Sequence, residues 1–426
     1  MSVSLATLKI EPPIHPERSA HNGRLDSLRG FAACSVMVVH SFGNDGVEYA
    51  SPISASNEYV RHLHMSRAAV LLFFITSGYV IGLTNQTSFT AERAGTYLKK
   101  RALRLIPLYL IAIVLGWIAY PKVTAGNVFA NALFLQNGAW GINSLSGNYP
   151  VWSLHYEVIF YLGFLALWAY RPRVLSLSAA MLTFAIFDWF YGGSFSFLGG
   201  WSSGGFFWLA GLLLAWGRPA LGNKTPLLSI LLLTYATTHL WPGIILLNGL
   251  GFPYAGRANV WLSDLLLLPC TLVVFCAATQ INFRGLVIAR WLAALIPAGT
   301  CALLLSMGRL WENVPWTMSG VATAIAIPLS FVERESWSAP GYILFQPVGK
   351  ISYGLYLLHA PLVIFVVRIY PWNGGILNYA GGFFAWLTLT LALAWLCESK
   401  LQPLVVSVFR TVPSIPKKLA ETTVKS

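Results

Sequence analysis

The chain has 426 residues, of which 56% are hydrophobic, 14% aromatic and only 10% charged, and its mean hydropathy is +0.63. A soluble domain of this length needs far more surface charge, so the composition excludes an ordinary soluble protein and indicates an integral membrane protein. The formal net charge of +13 does not indicate nucleic-acid binding, because the lysines and arginines are scattered between apolar stretches and form no single patch.

The first residues do not resemble a cleaved signal peptide, because residues 1–24 contain three basic side chains and several prolines but no apolar core. We expect a short cytoplasmic N-terminal tail over 1–24, a membrane domain over 25–400 and a basic cytoplasmic C-terminal tail over 401–426. The five cysteines lie in apolar stretches without the spacing of metal ligands, which predicts buried free thiols at Cys34, Cys270, Cys276, Cys301 and Cys397.

Apolar segments follow one another along the chain, and a bilayer core of about 30 Å requires about 20 residues of helix for each crossing. The chain is therefore predicted to be an all-α polytopic membrane protein, a bundle of about 10–12 transmembrane helices. Most lysines and arginines fall on the connections that a cytoplasmic N-terminus would place inside, so both termini are expected in the cytoplasm. The segments lie at roughly 27–45, 67–84, 103–120, 151–170, 175–191, 204–216 (short enough to be half-inserted), 227–249, 260–280, 288–308, 316–333, 345–370 and 376–397.

The first apolar stretch carries Arg29 near its start and His40 near its end. Eleven residues turn a helix about 20° past three full turns, so both side chains point from one face. At ~1.5 Å per residue they are roughly 16 Å apart along the axis, a span comparable to an extended pantetheine arm. A cation at one end could hold a phosphate while the imidazole acts deeper in the membrane.

Ionisable residues inside the apolar segments are candidate functional residues, because a charge in the bilayer is costly. Glu157 is predicted about 10 Å below the start of its segment, at a depth similar to His40. A carboxylate beside the imidazole would fix its tautomer and raise its basicity, as a general base requires. A structural ion pair between helices is the alternative. Asp188 and Asp264 could contact an acceptor molecule or merely cap helices.

A second cationic element lies at the inner end of the third segment. Arg101 and Arg104 are neighbours on a helix, so their guanidinium groups could clamp a pyrophosphate, or they could simply anchor the helix at the membrane boundary. In the second segment, the small residues Ser77 and Gly78 permit close helix packing, and the serine could also donate to a buried polar group.

The stretch GKISYGLYLLHAPLV repeats the arrangement of a cation below an imidazole. Lys350 is predicted at the inner boundary and His359 about 13 Å deeper, with Ser352 and Tyr353 between them, although His359 could also be a satisfied interior histidine. The sequence contains no phosphate-binding loop, no GxSxG motif with an attendant catalytic triad, and no HExxH motif or other metal-ligand spacing. It therefore gives no support to a serine hydrolase or a metalloenzyme, and no metal site is predicted.

These pieces together resemble acyltransferase family 3, the integral-membrane acyltransferases that modify glycans and other exported molecules. The pieces occur in the family's order between about 25 and 400: LDSLRG with Arg29 and His40, LFFITSGYVIG, RALRLIPLYL, WSLHYE, FFWLAGLLLA and GKISYGLYLLH. Two stretches of the sequence depart from the family's pattern. MSRAAVLL replaces a Gly-Val-Asp-Leu-like sequence, and the Glu–Pro spacing in CESKLQP, which contains Glu398, is stretched.

The resemblance implies a fold of ten helices or slightly more, an acyl-CoA donor, most often acetyl-CoA, bound from the cytoplasm, and transfer to a hydroxyl at or beyond the outer side of the membrane. It also implies that Arg29 and His40 are essential, that Arg101 and Arg104 belong to the donor site, and that Glu157 lies near the centre. A bacterial cytoplasmic (inner) membrane is the expected location.

The resulting hypothesis is an O-acyltransferase that moves an acyl group, most simply acetyl, from cytoplasmic acyl-CoA to a hydroxyl of an exported glycan, glycolipid or other acceptor. His40, oriented by Glu157, serves as general base, the pantetheine arm runs up the bundle to it, and an acyl-histidine intermediate is the open variant. The alternative is a proton-coupled transporter or flippase of a polar lipid or glycan. The donor-site candidates are Arg29, Arg101, Arg104, Lys350, Ser352 and Tyr353, and the acceptor-site candidates are Ser77, His359, Asp188 and Asp264.

Overall fold

The protein is described by a computed structural model over residues 17–41, 59, 62–137, 141–171, 176–178, 180–184, 196–217, 219–222, 224–251, 257–372 and 375–411. More than four-fifths of these residues are helical. The helices are α1 (Glu17–Ser41), α2 (Ser66–Thr84), α3 (Ala91–Ala119), α4 (Ala125–Ala132), α5 (Trp152–Tyr170), α6 (Ser196–Trp216), α7 (Leu227–Leu240), α8 (Pro242–Gly249), α9 (Arg257–Thr279), α10 (Leu286–Ser306), α11 (Val314–Val332), α12 (Ala339–Lys350), α13 (Ser352–Ile369), α14 (Ile376–Leu396) and α15 (Gln402–Thr411).

Short elements connect some of these helices. Two-residue strands, Ala220–Leu221 and Ile281–Asn282, pair antiparallel, and 3₁₀ turns at Ser146–Val151 and Glu335–Ser338 precede α5 and α12. A π-helical turn, Cys397–Leu401, joins α14 to α15.

Within the described residues, nine helical stretches are long and apolar enough to cross a membrane, or ten if the bent pair α7–α8, with its 49° break, forms one crossing. The predicted class, an all-α polytopic membrane protein, is confirmed. All five cysteines are free thiols. Four of them are buried as predicted, whereas Cys34 is only partly buried.

Several predicted segment bounds were wrong. The third helix begins at Ala91 and not near 103, because the Thr90 side chain caps the backbone N–H of Arg93 at 3.2 Å and a polar first part extends the helix. The segment predicted at 345–370 is two helices, α12 and α13, separated at Ile351. The short segment at 204–216 belongs to the 21-residue helix α6. The segment at 175–191 lies partly outside the described residues.

The first helix packs among several other helices of the bundle. It contacts α2, α12 and α13, and it begins at Glu17, so residues 17–24 of the predicted tail are helical. Its charged first half makes it too polar to count among the membrane-crossing candidates by composition. Gly30 and Gly349 bring α1 and α12 into backbone contact, since a Cβ on either glycine would overlap a backbone carbonyl of the other helix.

The predicted close packing at Gly78 is present between α2 and α6. A Cβ at Gly78 would overlap the carbonyl oxygen of Trp208, and a Cβ at Gly211 would overlap the carbonyl oxygen of Ile75. The two helices therefore approach closely at glycine positions on both sides, as small residues permit in membrane bundles.

We predict that Gly78→Ala lowers the Tm of the detergent-solubilised protein, because the added methyl group forces α2 and α6 apart at a cost of about 1–3 kcal/mol. The matched control is Gly163→Ala in α5, where a Cβ meets open space. Thermal unfolding followed by intrinsic fluorescence measures both variants. Equal Tm values for the two would contradict the proposed contact.

Candidate active site

Three arginines from two helices face one cavity of about 260 Å³ in the interior of the bundle. Arg29 comes from α1, and Arg101 and Arg104 come from α3. We call this the arginine cavity. Its lining also includes Ser77, Glu157, Tyr161, Ser352 and Tyr353, so five helices contribute to it. The structure thus brings most of the predicted donor-site residues together.

Arg104 is held by a carboxylate that sequence analysis did not assign to the site. Its guanidinium donates to both oxygens of Glu398, with the Nη2–Oε1 bond at 3.1 Å, and its Cζ lies 5.0 Å from the ring centroid of Tyr353. Glu398 also accepts the backbone N–H of Gly354 at 3.0 Å. The signal for this role was a glutamate just beyond the last apolar segment, in CESKLQP.

Arg101 and Arg29 are less completely paired than Arg104. Arg101 lies over the rings of Tyr97 and Tyr161, at 5.5 and 5.4 Å from their centroids, and its buried Nε has no hydrogen-bond partner in the described part of the chain. Arg29 is 3.7 Å from the carboxylate of Asp26, one turn earlier. A guanidinium carries five N–H donors, so both side chains retain donors that could bind an anion.

Glu157 belongs to the arginine cavity. Its carboxylate accepts the hydroxyl hydrogens of Tyr161 and Ser77, the latter at 3.3 Å. These hydrogen bonds differ from the predicted pairing of Glu157 with His40, and they show the Ser77 hydroxyl donating to a half-buried acid. The depth estimate along the helix could not determine the direction in which Glu157 points around the helix axis.

His40 faces a second cavity, of about 350 Å³, which we call the histidine cavity. Its walls combine aromatic rings with hydrogen-bonding side chains. The lining includes Ser66, Arg67, Asn137, Tyr149, Trp152, Tyr156, Ser203 and Trp261.

The ring of His40 is paired with a second histidine. Nδ1 of His40 lies 2.8 Å from the Val36 carbonyl oxygen and 3.0 Å from Nε2 of His359, and Nδ1 of His359 lies 3.2 Å from the Leu355 carbonyl oxygen. Because carbonyl oxygens only accept, the tautomer that fits these contacts for a neutral ring carries its proton on Nδ1 in both histidines. This assignment makes Nε2 of His40 its proton-accepting nitrogen.

Arg67 and Asp264 form an ion pair beside the histidine cavity. The Arg67 Nε donates to Oδ1 of Asp264 at 2.8 Å, a second guanidinium nitrogen contacts Oδ2, and the Arg67 Cζ lies 5.4 Å from the Trp152 ring centroid. The carboxylate of Asp264 is 2% exposed. Asp264 thus positions Arg67, and Arg67 is the member of the pair that lines the cavity.

Other predicted residues lie elsewhere. Lys350 is exposed at the end of α12 and does not line the arginine cavity. His359 is buried behind His40 and lines neither cavity. Asp188 lies outside the described residues. No three His, Cys, Asp or Glu side chains are grouped to hold a metal ion in the part of the chain that the structure describes.

The two cavities adjoin but are distinct. Val70, Phe74 and Tyr356 line both of them, and Arg29 opens into one while His40 opens into the other. Any passage from Arg29 to His40 therefore leads past these side chains of α2 and α13, where the two cavities meet.

The protein is a helical membrane bundle with a polar internal site. That site combines clustered interior arginines with a buried pair of histidines. A family model described as an acyltransferase domain matches residues 22–295, more than half of the chain, and the chain belongs to acyltransferase family 3. The predicted resemblance is confirmed, and the protein is a membrane acyltransferase. Searches of curated proteins and of solved structures gave no match.

We predict that Glu398→Ala lowers the free energy of unfolding by about 1–3 kcal/mol, because Arg104 loses a charge-assisted pair inside the bundle. Glu312→Ala is the matched control, since Glu312 pairs with Arg309 at 2.9 Å but both side chains are nearly half exposed. Thermal unfolding in detergent measures both variants. A Glu398→Ala variant as stable as the control would show that the pair contributes nothing.

Proposed function

We propose that the protein transfers an acyl group, most simply acetyl, from acyl-CoA to a hydroxyl of an exported glycan, glycolipid or other polar acceptor. The observation that carries this proposal is the arginine cavity, a compact set of cations beside the cavity that contains His40. A transporter that relays protons would not require three arginines in one cavity.

Coenzyme A fits the arginine cavity by charge. Its diphosphate and ribose phosphate are polyanionic, and guanidinium groups bind phosphate oxygens through parallel hydrogen bonds. Arg29 and Arg101 retain donors for this purpose, and the buried Ser352 Oγ has no partner within the described residues. Arg104, held by Glu398, would contribute mainly its charge. Glu157 lines the same cavity and offsets part of its positive charge.

The histidine cavity suits a polar acceptor. Its tryptophan and tyrosine rings offer flat apolar faces, while Asn137, Ser66 and Arg67 offer hydrogen bonds. This combination matches a sugar or another polyol, which has apolar ring faces and many hydroxyl groups. We place this cavity toward the outer side of a bacterial inner membrane and the arginine cavity toward the cytoplasm, in accord with the positive-inside distribution of charge.

His40 supplies the base in this proposal. Its Nε2 accepts the proton of the acceptor hydroxyl while the hydroxyl oxygen attacks the thioester carbonyl carbon. The carbon–sulfur bond then breaks, the departing thiolate takes the proton from the His40 imidazolium, and the products are an ester and free CoA. His359 positions His40 by fixing which ring nitrogen carries the proton. The variant in which Nε2 attacks the thioester itself would release CoA without any acceptor.

We expect CoA and acetyl-CoA to raise the Tm of the purified protein in detergent, because a ligand that binds only the folded state stabilises it. Arg101→Gln should raise the half-saturating CoA concentration at least about tenfold, as loss of a charge-assisted hydrogen bond predicts. The control is Arg309→Gln, at an exposed pair that does not line the cavity. If CoA leaves the wild-type Tm unchanged, the donor is wrongly assigned and the transporter alternative gains support.

We expect His40→Ala to lower acyl transfer by a factor of about 10²–10⁴, the usual contribution of a general base, while CoA still raises its Tm. Transfer is measured as label moved from radioactive acetyl-CoA into the lipid and glycan fraction of membrane vesicles, per amount of folded protein. The control is His239→Ala, a buried histidine outside both cavities. Undiminished labelling in His40→Ala would refute the assigned base.

A further inference from the structure

The partition between the two cavities consists of three side chains that face both of them. Val70 and Phe74 lie four residues apart on α2, so they share one face of that helix, and Tyr356 reaches them from α13. A group that extends from the arginine cavity toward His40 must lie against these side chains.

Tyr356 is held in place by hydrogen bonds at its far end. Its hydroxyl donates to the Pro150 carbonyl oxygen at 2.7 Å and lies 2.7 Å from the Ser153 Oγ. The Phe73 ring packs edge-on against it, with ring centroids 5.8 Å apart. Because the hydroxyl is engaged on both sides, the ring offers an apolar face to the cavities and has no freedom to swing away at low cost.

The α2 side of the partition is equally constrained. Phe74 is 5% exposed and meets the Phe160 ring edge-on at a centroid distance of 5.4 Å, and Val70 is 6% exposed. Neither side chain can move outward without displacing packed neighbours. The partition is therefore an apolar surface of fixed shape.

We propose that Val70, Phe74 and Tyr356 contact the acyl group of the donor and restrict the enzyme to short acyl chains. The proposal rests on the acyl-CoA donor proposed above. With the phosphates held by the arginines, the thioester carbon reaches an acceptor beside His40 only if the acyl group occupies this junction. Each methylene beyond the length that fits overlaps a rigid wall, and one methylene in a tight apolar pocket changes selectivity about 10–200-fold.

The test compares how the full-length purified protein binds CoA, acetyl-CoA and butyryl-CoA, with half-saturating concentrations taken from the rise in Tm. We expect the wild type to bind butyryl-CoA at least about tenfold more weakly than acetyl-CoA. Val70→Ala opens the junction and should shift the butyryl-to-acetyl affinity ratio about tenfold toward butyryl-CoA. Val70→Ile fills the junction and should shift the ratio in the opposite direction.

Val80→Ala is the matched control, because Val80 lies on the same helix and lines the arginine cavity but not the partition. Its affinity ratio should equal that of the wild type, whatever its absolute affinities. Equal shifts in Val70→Ala and Val80→Ala, or a wild type that binds the two acyl-CoAs equally, would overturn the assignment of the partition. A wild type that binds no CoA at all would overturn the proposed donor, and this inference with it.

Discussion

A charged side chain inside a membrane bundle must meet an opposite charge, an aromatic face or a ligand, because apolar side chains and lipid cannot solvate it. Two of the interior arginines meet this requirement within the chain: Arg104 pairs with Glu398 and Arg67 with Asp264. Arg29 and Arg101 meet it only in part. These two incompletely compensated guanidinium groups line the same cavity. An anionic ligand therefore gains more binding energy in that cavity than beside either ion pair.

The shared helix α1 explains how two chemically different cavities keep a constant separation. Arg29 and His40 are both on α1, and an α-helix packed against α2, α12 and α13 holds them at a fixed axial distance. Gly30 and Gly349 lock the register of α1 against α12 through backbone contact. A site built on packed helices positions its groups more exactly than one built on loops.

Sequence periodicity predicted the properties that depend on a single helix. The lengths of the apolar segments predicted a polytopic membrane protein. The eleven-residue spacing placed Arg29 and His40 on one face of α1. The charge distribution along the segments placed Arg101, Arg104, Ser352 and Tyr353 at similar depths, and the structure brings them to one cavity. These properties are local, because hydrophobicity and helical rise act between residues close in the chain.

Contacts between distant helices could not be predicted in this way. His40 and His359 are 319 residues apart and Arg104 and Glu398 are 294 residues apart, and no local pattern states which helices are neighbours. Glu157 shows the same limit: its depth is compatible with His40, but rotation about the axis of α5 directs it to the arginine cavity. Rotation and neighbour choice are decided by tertiary packing, including the glycine contacts of α2 with α6 and of α1 with α12.

The site also needs helices beyond the segment that the family model matches. The match ends at residue 295, whereas Ser352, Tyr353 and His359 lie on α13 and Glu398 follows α14. Without those helices, Arg104 would lose its carboxylate, His40 would lose the ring that holds its Nδ1, and Tyr356 would be missing from the partition between the cavities. Each of these losses affects a different part of the site, so the site requires α13 and α14 as well as the helices of the matched segment.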